Sequence, residues 1–335
     1  MQGDGNFLND LGAERLGAPR RCPACEGAGG RERGEKNGFA LDVCDACGTL
    51  YAQRTQDAPL DYDGYYGESN LSVPDFISSR LDEIFASFAP YRESNRLLDI
   101  GCGAGSLLQA ARRAGWRAEG LEVSRTAAEH VRSEGFEVFC GELSEARYPS
   151  GHFDVVTASE VIEHLEDPHE LLAEVARILR PGGLFWATTP HGRGISARVL
   201  GTDWSTVCPP EHLQLFSLGG ARRILERAGF RRVSVTSRGC NPLELLHALR
   251  RRGNGARTVV DEGDAVSSQS KDASNDATVA ESSSANGERF DRVATGYRLN
   301  EALLKNPATR ALKAAANAAL GATRLGDSIR IRAEV

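Results

Sequence analysis

Three carboxylates, Asp99, Glu122 and Glu142, stand at the ends of successive apolar runs, and the first introduces a glycine loop, Gly101-Cys102-Gly103-Ala104-Gly105. A glycine loop that opens a helix lets the backbone approach a ligand closely. A dinucleotide fingerprint, GxGxxG, needs its third glycine at position 106. Ser106 stands there, and the third glycine comes one residue early, at Gly105. Asp99, two residues before the first glycine, would repel a pyrophosphate and suits a ligand carrying an ammonium group. Glu122, in GLEVS, can accept two hydrogen bonds from ribose hydroxyls, and Glu142, in CGELS, can meet the amino group of adenine. Each acid alone reads as a polar loop residue. Three of them at the edge where open α/β sheets bind ligands read as a site.

Three histidines follow later apolar runs: His164 in VIEHLEDP, His191 in TTPHGRG and His212 in PPEHLQLFS. Each could take a proton from an acceptor, and each alone is more often a structural hydrogen-bonding residue. His130, His152, His169 and His247 carry no functional weight. Four of the eight cysteines form two pairs, Cys22-Pro-Ala-Cys25 and Cys44-Asp-Ala-Cys47, with 18 residues between them. This is the C-x2-C-x15–20-C-x2-C spacing of a four-thiolate zinc site. Such a site has no open position, so the zinc is assigned to folding, with an iron site or a redox pair as alternatives. Cys102, Cys140, Cys208 and Cys240 are scattered and suggest no disulfide framework.

Strand–helix alternation must position these groups. RLLDI reads as a buried strand, SLLQAARRAG as a helix, WRAEGLEV as a second strand and SRTAAEHVRSEG as a second helix capped by Ser124. FEVFC and FDVVTAS are the third and fourth strands. A helix around ELLAEVARILR is expected to end at Pro181-Gly182-Gly183, followed by a fifth strand, LFWATTP. SLGGARRILERAG is another helix, FRRVSVTSR a sixth strand, and the alternating end GDSIRIRAEV a seventh. The pattern predicts a doubly wound α/β fold with a mostly parallel sheet. Residues 1–20 read as a flexible arm, 21–50 as a zinc ribbon and 51–95 as a connector and helix. The remaining residues, 96–335, form the main domain, interrupted at about 252–288 by a Ser/Asn/Asp-rich insertion expected to be disordered.

LLDIGCGAGSLL, GLEVS, FDVVTASEVIEHLEDP and LRPGGLFWATTP resemble the successive motifs of class I S-adenosylmethionine-dependent methyltransferases, and are most similar to the ubiquinone-biosynthesis O-methyltransferase group. The resemblance covers about residues 74–240 and, more weakly, the C-terminal part. It implies sheet order 3-2-1-4-5-7-6 with an antiparallel seventh strand, which agrees with the reading of the last segment. It further implies that Asp99 and Gly101 hold the methionine end of S-adenosylmethionine, Glu122 the ribose and Glu142 the adenine, with Gly103 and Gly105 also in the cofactor-binding loop. Ser159 and Glu160 would border the methionine and the acceptor. It ranks His164 first as the base and His212 second, ahead of His191.

Methyl transfer is an in-line displacement in which the cofactor supplies reactivity and the protein supplies alignment and a route for the acceptor's proton. The expected acceptor is a small molecule, methylated on a hydroxyl oxygen. The ribbon, the Tyr62–Tyr66 connector and the helices after residue 289 are expected to cap its pocket. A first rival reading is an RNA base methyltransferase that docks through the ribbon. A net charge of -6 and Ser159-Glu160-Val161-Ile162 in place of an NPPY-type motif argue against it. A second is a non-enzymatic cofactor-binding scaffold, which the intact acids disfavour. The acidic N-terminus is unlike a secretory signal and no run of about 18 apolar residues occurs, so a cytoplasmic enzyme without a membrane span is expected.

Overall fold

The computed structural model describes residues 20–54, 62–65, 75–242, 244–246 and 307–335. The insertion expected at about 252–288 lies outside the described residues, as does the N-terminal arm apart from Arg20. Strands β1 (Gly30–Lys36), β2 (Phe39–Cys44) and β3 (Leu50–Ala52) come first, then the short helix α1 (Tyr62–Tyr65) and α2 (Asp75–Ala86). There follow β4 (Arg96–Ile100), α3 (Ser106–Arg113), β5 (Arg117–Glu122), α4 (Arg125–Ser133), β6 (Glu137–Cys140), α5 (Leu143–Ala146), β7 (Phe153–Ser159), α6 (Pro168–Ile178) and β8 (Leu179–Pro190). The chain continues through α7 (Ile195–Leu200), β9 (Gln214–Leu215), α8 (Leu218–Arg227), β10 (Arg231–Arg238), α9 (Pro307–Ala322) and β11 (Ser328–Glu334).

Seven strands form one sheet in the order β10-β11-β8-β7-β4-β5-β6. Counted from β4 this is 3-2-1-4-5-7-6 read from the far edge, and β11 runs antiparallel to both neighbours. Consecutive residues of the central strands feed opposite faces. Leu97, Val155, Leu184 and Trp186 pack with Leu81, Phe85, Leu107 and Ala111 on one side. Leu98, Val156, Phe185 and Ile331 pack with Leu172, Val175, Ile224 and Leu225 on the other. Burial on both faces is why these strands read as continuous apolar runs. Ser124 caps α4 by accepting the Ala127 N–H at 3.2 Å, as its position predicts. The helix before β8 departs from expectation: it ends at Ile178, and Pro181-Gly182-Gly183 lie inside β8. The pairing of β7 with β8 shifts register between Phe153 and Val155, so these residues serve a strand irregularity instead of a helix stop.

The cysteine segment forms strands that its glycine-rich spacing does not announce. A second sheet, ordered β1-β2-β3-β9, begins with a hairpin whose turn is Asn37-Gly38, both with positive φ (51° and 77°). Its last member, β9, lies between α7 and α8 and is remote in sequence from the other three strands, with Leu50 opposite Leu215 and Tyr51 opposite Gln214. Cys22, Ala24, Cys44 and Tyr51 share one buried cluster with Phe216, Ala221 and Ile224. The ribbon and the main sheet are therefore packed as one body.

Candidate functional site

The glycine loop leaves β4 in a left-handed path, with φ of 65°, 50° and 78° at Gly101, Gly103 and Gly105. At Gly101 an added Cβ would lie 2.7 Å from Val161 Cγ2, so only glycine fits there without displacement. Gly101 N and Cys102 N donate to the Leu121 carbonyl at 2.8 and 3.2 Å, and Gly103 N donates to Glu122 Oε2 at 2.8 Å. Glu122 Oε1 accepts the Ser124 N–H at 2.9 Å. This buried carboxylate is fixed by two backbone donors, and each oxygen keeps acceptor capacity for a hydroxyl.

Asp99 is buried at the end of β4. Its Oδ1 accepts from Thr157 Oγ1 at 2.7 Å, while Oδ2 has no hydrogen-bond partner among the described residues. Burial pushes the carboxyl up to about 7, opposed by the Thr157 hydrogen bond and reinforced by the Glu122 charge. An orphaned carboxylate oxygen beside a glycine cradle fits a ligand that brings its own ammonium group. Glu142 sits differently from Asp99 and Glu122. It is exposed and caps α5 through a reciprocal box with Glu145, so its carboxylate is already engaged with its own helix. Ser159 and Thr188 pair through their hydroxyls at 2.8 Å. Glu160 has a left-handed backbone, with φ of 56°, and its N–H donates to the Thr188 carbonyl at 2.9 Å.

The histidines separate. His164 and His212 meet edge to face with ring centroids 4.7 Å apart. Together with Glu163 they place three ligating atoms within 4.8 Å of one another. Glu163 is fully buried; its Oε2 accepts from Thr189 Oγ1 at 2.9 Å and its Oε1 has no hydrogen-bond partner among the described residues. Burial first, and the charge of Glu160 second, push its carboxyl well above the usual carboxylate range. His212 Nδ1 lies 2.7 Å from the Thr206 carbonyl, which places a ring proton on Nδ1. His191 does not join the cluster. It is buried, bonded through Nδ1 to the Gly326 carbonyl at 2.8 Å, and burial lowers its basicity. Its geometry is that of a structural tie to the C-terminal segment.

Helix α1 reaches the same region. Asp63 Oδ1 accepts from Ser124 Oγ at 2.8 Å and from Thr126 N at 3.2 Å, pinning α1 to the start of α4. The Tyr62 phenol is raised by burial and then by the charges of Glu211, Glu122 and Glu163. Glu163 and Tyr62 were not among the residues singled out individually from sequence. The only signal for Glu163 is its place beside His164 in SEVIEHL.

The four paired cysteines converge. Cys22 and Cys47 sulfurs lie 3.5 Å apart, Cys25 and Cys44 sulfurs 3.5 Å apart, and all four fall within 4.8 Å of one another. A tetrahedron of Zn–S bonds of about 2.3 Å has edges of about 3.8 Å, so the sulfurs fit that ion.

Residues 73–235, just under half of the chain, match the methyltransferase domain family. This segment is a methyltransferase domain. Within the chain, 163 residues are 34% identical to a ubiquinone biosynthesis O-methyltransferase of Caulobacter vibrioides, covering 42% of this chain and 64% of that protein. A protein of the same name from Thiobacillus denitrificans is 29% identical over 168 residues, 46% of this chain and 72% of that one. A solved S-adenosylmethionine-dependent methyltransferase from Archaeoglobus fulgidus aligns with a TM-score of 0.48 and 18% identity, over 82% of this chain and all of that one. The chain thus spans somewhat under two thirds of the Caulobacter relative. The cysteine segment lies outside the part that matches the methyltransferase domain family. Among the described residues, no helix is long and apolar enough to cross a membrane.

Proposed function

We propose that this methyltransferase domain moves the methyl group of S-adenosylmethionine to a hydroxyl oxygen of a small acceptor, with Glu163, His164 and His212 on the acceptor side. Asp99, the glycine loop and Glu122 are the donor side. The O-methyltransferase names of the similar proteins support the acceptor class. The observation that carries the reading is the cluster itself. A buried carboxylate stands against two imidazoles and beside a second acid, Glu160.

A phenolic hydroxyl titrates near 10, so its proton must be removed or its oxygen polarised before it attacks a sulfonium methyl. Two imidazoles and a carboxylate form a donor set suited to a divalent cation, and such an ion would lower the pKa of a bound hydroxyl. Glu163, His164 and His212 would hold it, with Thr189 and the Thr206 carbonyl orienting Glu163 and His212 from behind. A positive ion there also relieves the crowding of Glu163 by Glu160. His164 acting directly as a base is the second reading, favoured by the same ring pair. In either case Tyr62 and α1 close the acceptor side, and the cysteine ribbon holds a structural zinc.

The test is a panel of catechols and phenols assayed for release of S-adenosylhomocysteine, before and after treatment with a chelator. Turnover lost on chelation and restored by Mn2+ supports the cation reading. No turnover of any hydroxyl acceptor, with transfer to an amine instead, overturns the proposed acceptor class.

A further inference from the structure

The segment between β7 and α6 carries Glu163 and His164 yet belongs to no regular element, so something outside it must fix its path. Gln214 does most of this. Its Nε2 donates to the Ile162 carbonyl at 2.8 Å and to the Leu165 carbonyl at 2.9 Å, one on each side of Glu163-His164. The Glu163 carbonyl between them accepts from Leu213 N at 2.9 Å and Gln214 N at 3.3 Å. Gln214 is buried, and its amide oxygen accepts from Arg20 Nη2 at 2.9 Å, so all three polar functions of the side chain are used.

Both anchors of Gln214 lead to the cysteine ribbon. Arg20 precedes Cys22 by two residues and also donates to the Glu166 carbonyl at 2.6 Å. Tyr51, opposite Gln214 in the β3–β9 ladder, lies four residues after Cys47. Ala52 N donates to the Leu213 carbonyl at 2.8 Å. His212, the other ring of the cluster, sits two residues before Gln214 on the same strand approach.

We infer that Gln214 is a positioning residue through which the cysteine ribbon sets the geometry of Glu163 and His164. The inference rests on the acceptor-side reading of that cluster for its consequence in catalysis, and on hydrogen bonds alone for its structural content. A buried amide with three partners holds one arrangement tightly, because any shift leaves a desolvated donor or acceptor unpaired. Loss of the ribbon's metal would slacken β3 and Arg20 together, and the slack would reach the segment through Gln214.

Hydrogen exchange read by mass spectrometry on the full chain tests the coupling without an acceptor. In Gln214→Leu, exchange over residues 160–167 should rise at least tenfold while the 96–105 peptide, which carries Asp99, stays unchanged. Arg20→Met and removal of zinc from the wild-type protein should raise the same peptide several-fold, and Arg20→Lys should restore part of the protection. Titration of the zinc-loaded protein with Mn2+, followed by electron paramagnetic resonance, tests the consequence, since Mn2+ prefers oxygen and nitrogen ligands to thiolates. Gln214→Leu should weaken Mn2+ binding about tenfold or more and leave S-adenosylmethionine affinity within about threefold. Wild-type protein that takes up no Mn2+ sinks the cation reading and leaves the exchange result to judge Gln214. Unchanged exchange over 160–167 in folded Gln214→Leu overturns the inference. If that variant does not fold, unchanged exchange in Arg20→Met overturns it equally.

Discussion

Glu122 Oε2 accepts the Gly103 N–H at 2.8 Å, so the acid at the end of β5 holds the glycine loop that leaves β4. The same carboxylate is bound on its other oxygen by Ser124 N, at the start of α4. One side chain therefore shapes the cradle and, in the proposed reading, contacts the ribose.

Removing it should cost both. A charged acceptor of hydrogen bonds contributes on the order of 1.5–3 kcal/mol, so Glu122→Ala should weaken S-adenosylmethionine about 10- to 150-fold. Glu122→Gln keeps one acceptor oxygen and should lose less. Titration calorimetry checks this, and unaltered affinity in the alanine variant would remove Glu122 from the cofactor site.

Asp99 makes the apo protein and the complex respond differently to pH. Its carboxyl is raised by burial to about 7, whereas an unfolded aspartate titrates near 3.9. Between those values the folded chain keeps a proton the unfolded chain has lost. Stability from this group is therefore full below about pH 4, declines as pH rises, and levels off above about 7. Asp99→Asn should flatten that part of the denaturation curve. A cationic ligand beside Asp99 favours the carboxylate, so binding S-adenosylmethionine near pH 6.5 should release part of a proton. Calorimetry in two buffers of different ionisation enthalpy would detect it; equal heats in both would place the ammonium group elsewhere.

The cysteine ribbon should not unfold alone. Ser217 Oγ donates to the Cys47 carbonyl at 2.5 Å, and Thr49 Oγ1 lies where a Cβ on Gly220 would have to stand, only 2.1 Å away. Arg227 pairs with Glu26 from α8. Apparent binding energies of such thiolate sites run to roughly 10–16 kcal/mol, so Cys44→Ser should lose its zinc. The shared core predicts that the whole protein then melts earlier in a single transition. Zinc retained in full, or a separate low-temperature transition with the main melt unchanged, would contradict this.

The central strands were legible because β4, β7 and β8, buried on both faces, leave apolar runs that turn residues delimit, whereas the sheet order came from the family resemblance. The convergence of the paired cysteines was legible because a four-thiolate site requires its ligands at short, fixed spacing. Glu142 has a local role the sequence also allows: an acid after a strand can cap the next helix, and Glu145 three residues on completes that box. The tie of His191 was not legible, because a strand end looks the same whether its side chain meets solvent or the Gly326 carbonyl, 135 residues away. Glu163, His212 and Gln214 are joined across about fifty residues by a two-residue strand, β9, too short to leave any periodicity. Only the folded chain brings them together.

The cluster yields the most discriminating expectation. His164→Ala should keep S-adenosylmethionine affinity, because Asp99 and Glu122 are untouched, while turnover of a hydroxyl acceptor falls by roughly 10²–10⁴. That loss alone does not separate a base from a metal ligand, and Glu163 does. If His164 works as a base without a metal, chelation leaves the wild-type rate intact, and the rate rises with pH along a limb that His164→Ala loses. If the three side chains hold a cation, chelation abolishes turnover, Mn2+ restores it in wild type, and Glu163→Gln is inactive and cannot be rescued. Zinc content measured after chelation shows whether the ribbon kept its metal, so that loss of the ribbon is not mistaken for loss of the ion at Glu163. Full activity in both His164→Ala and Glu163→Gln, with cofactor binding verified, would make the cluster a packing feature and move the acceptor side to the Tyr62 face.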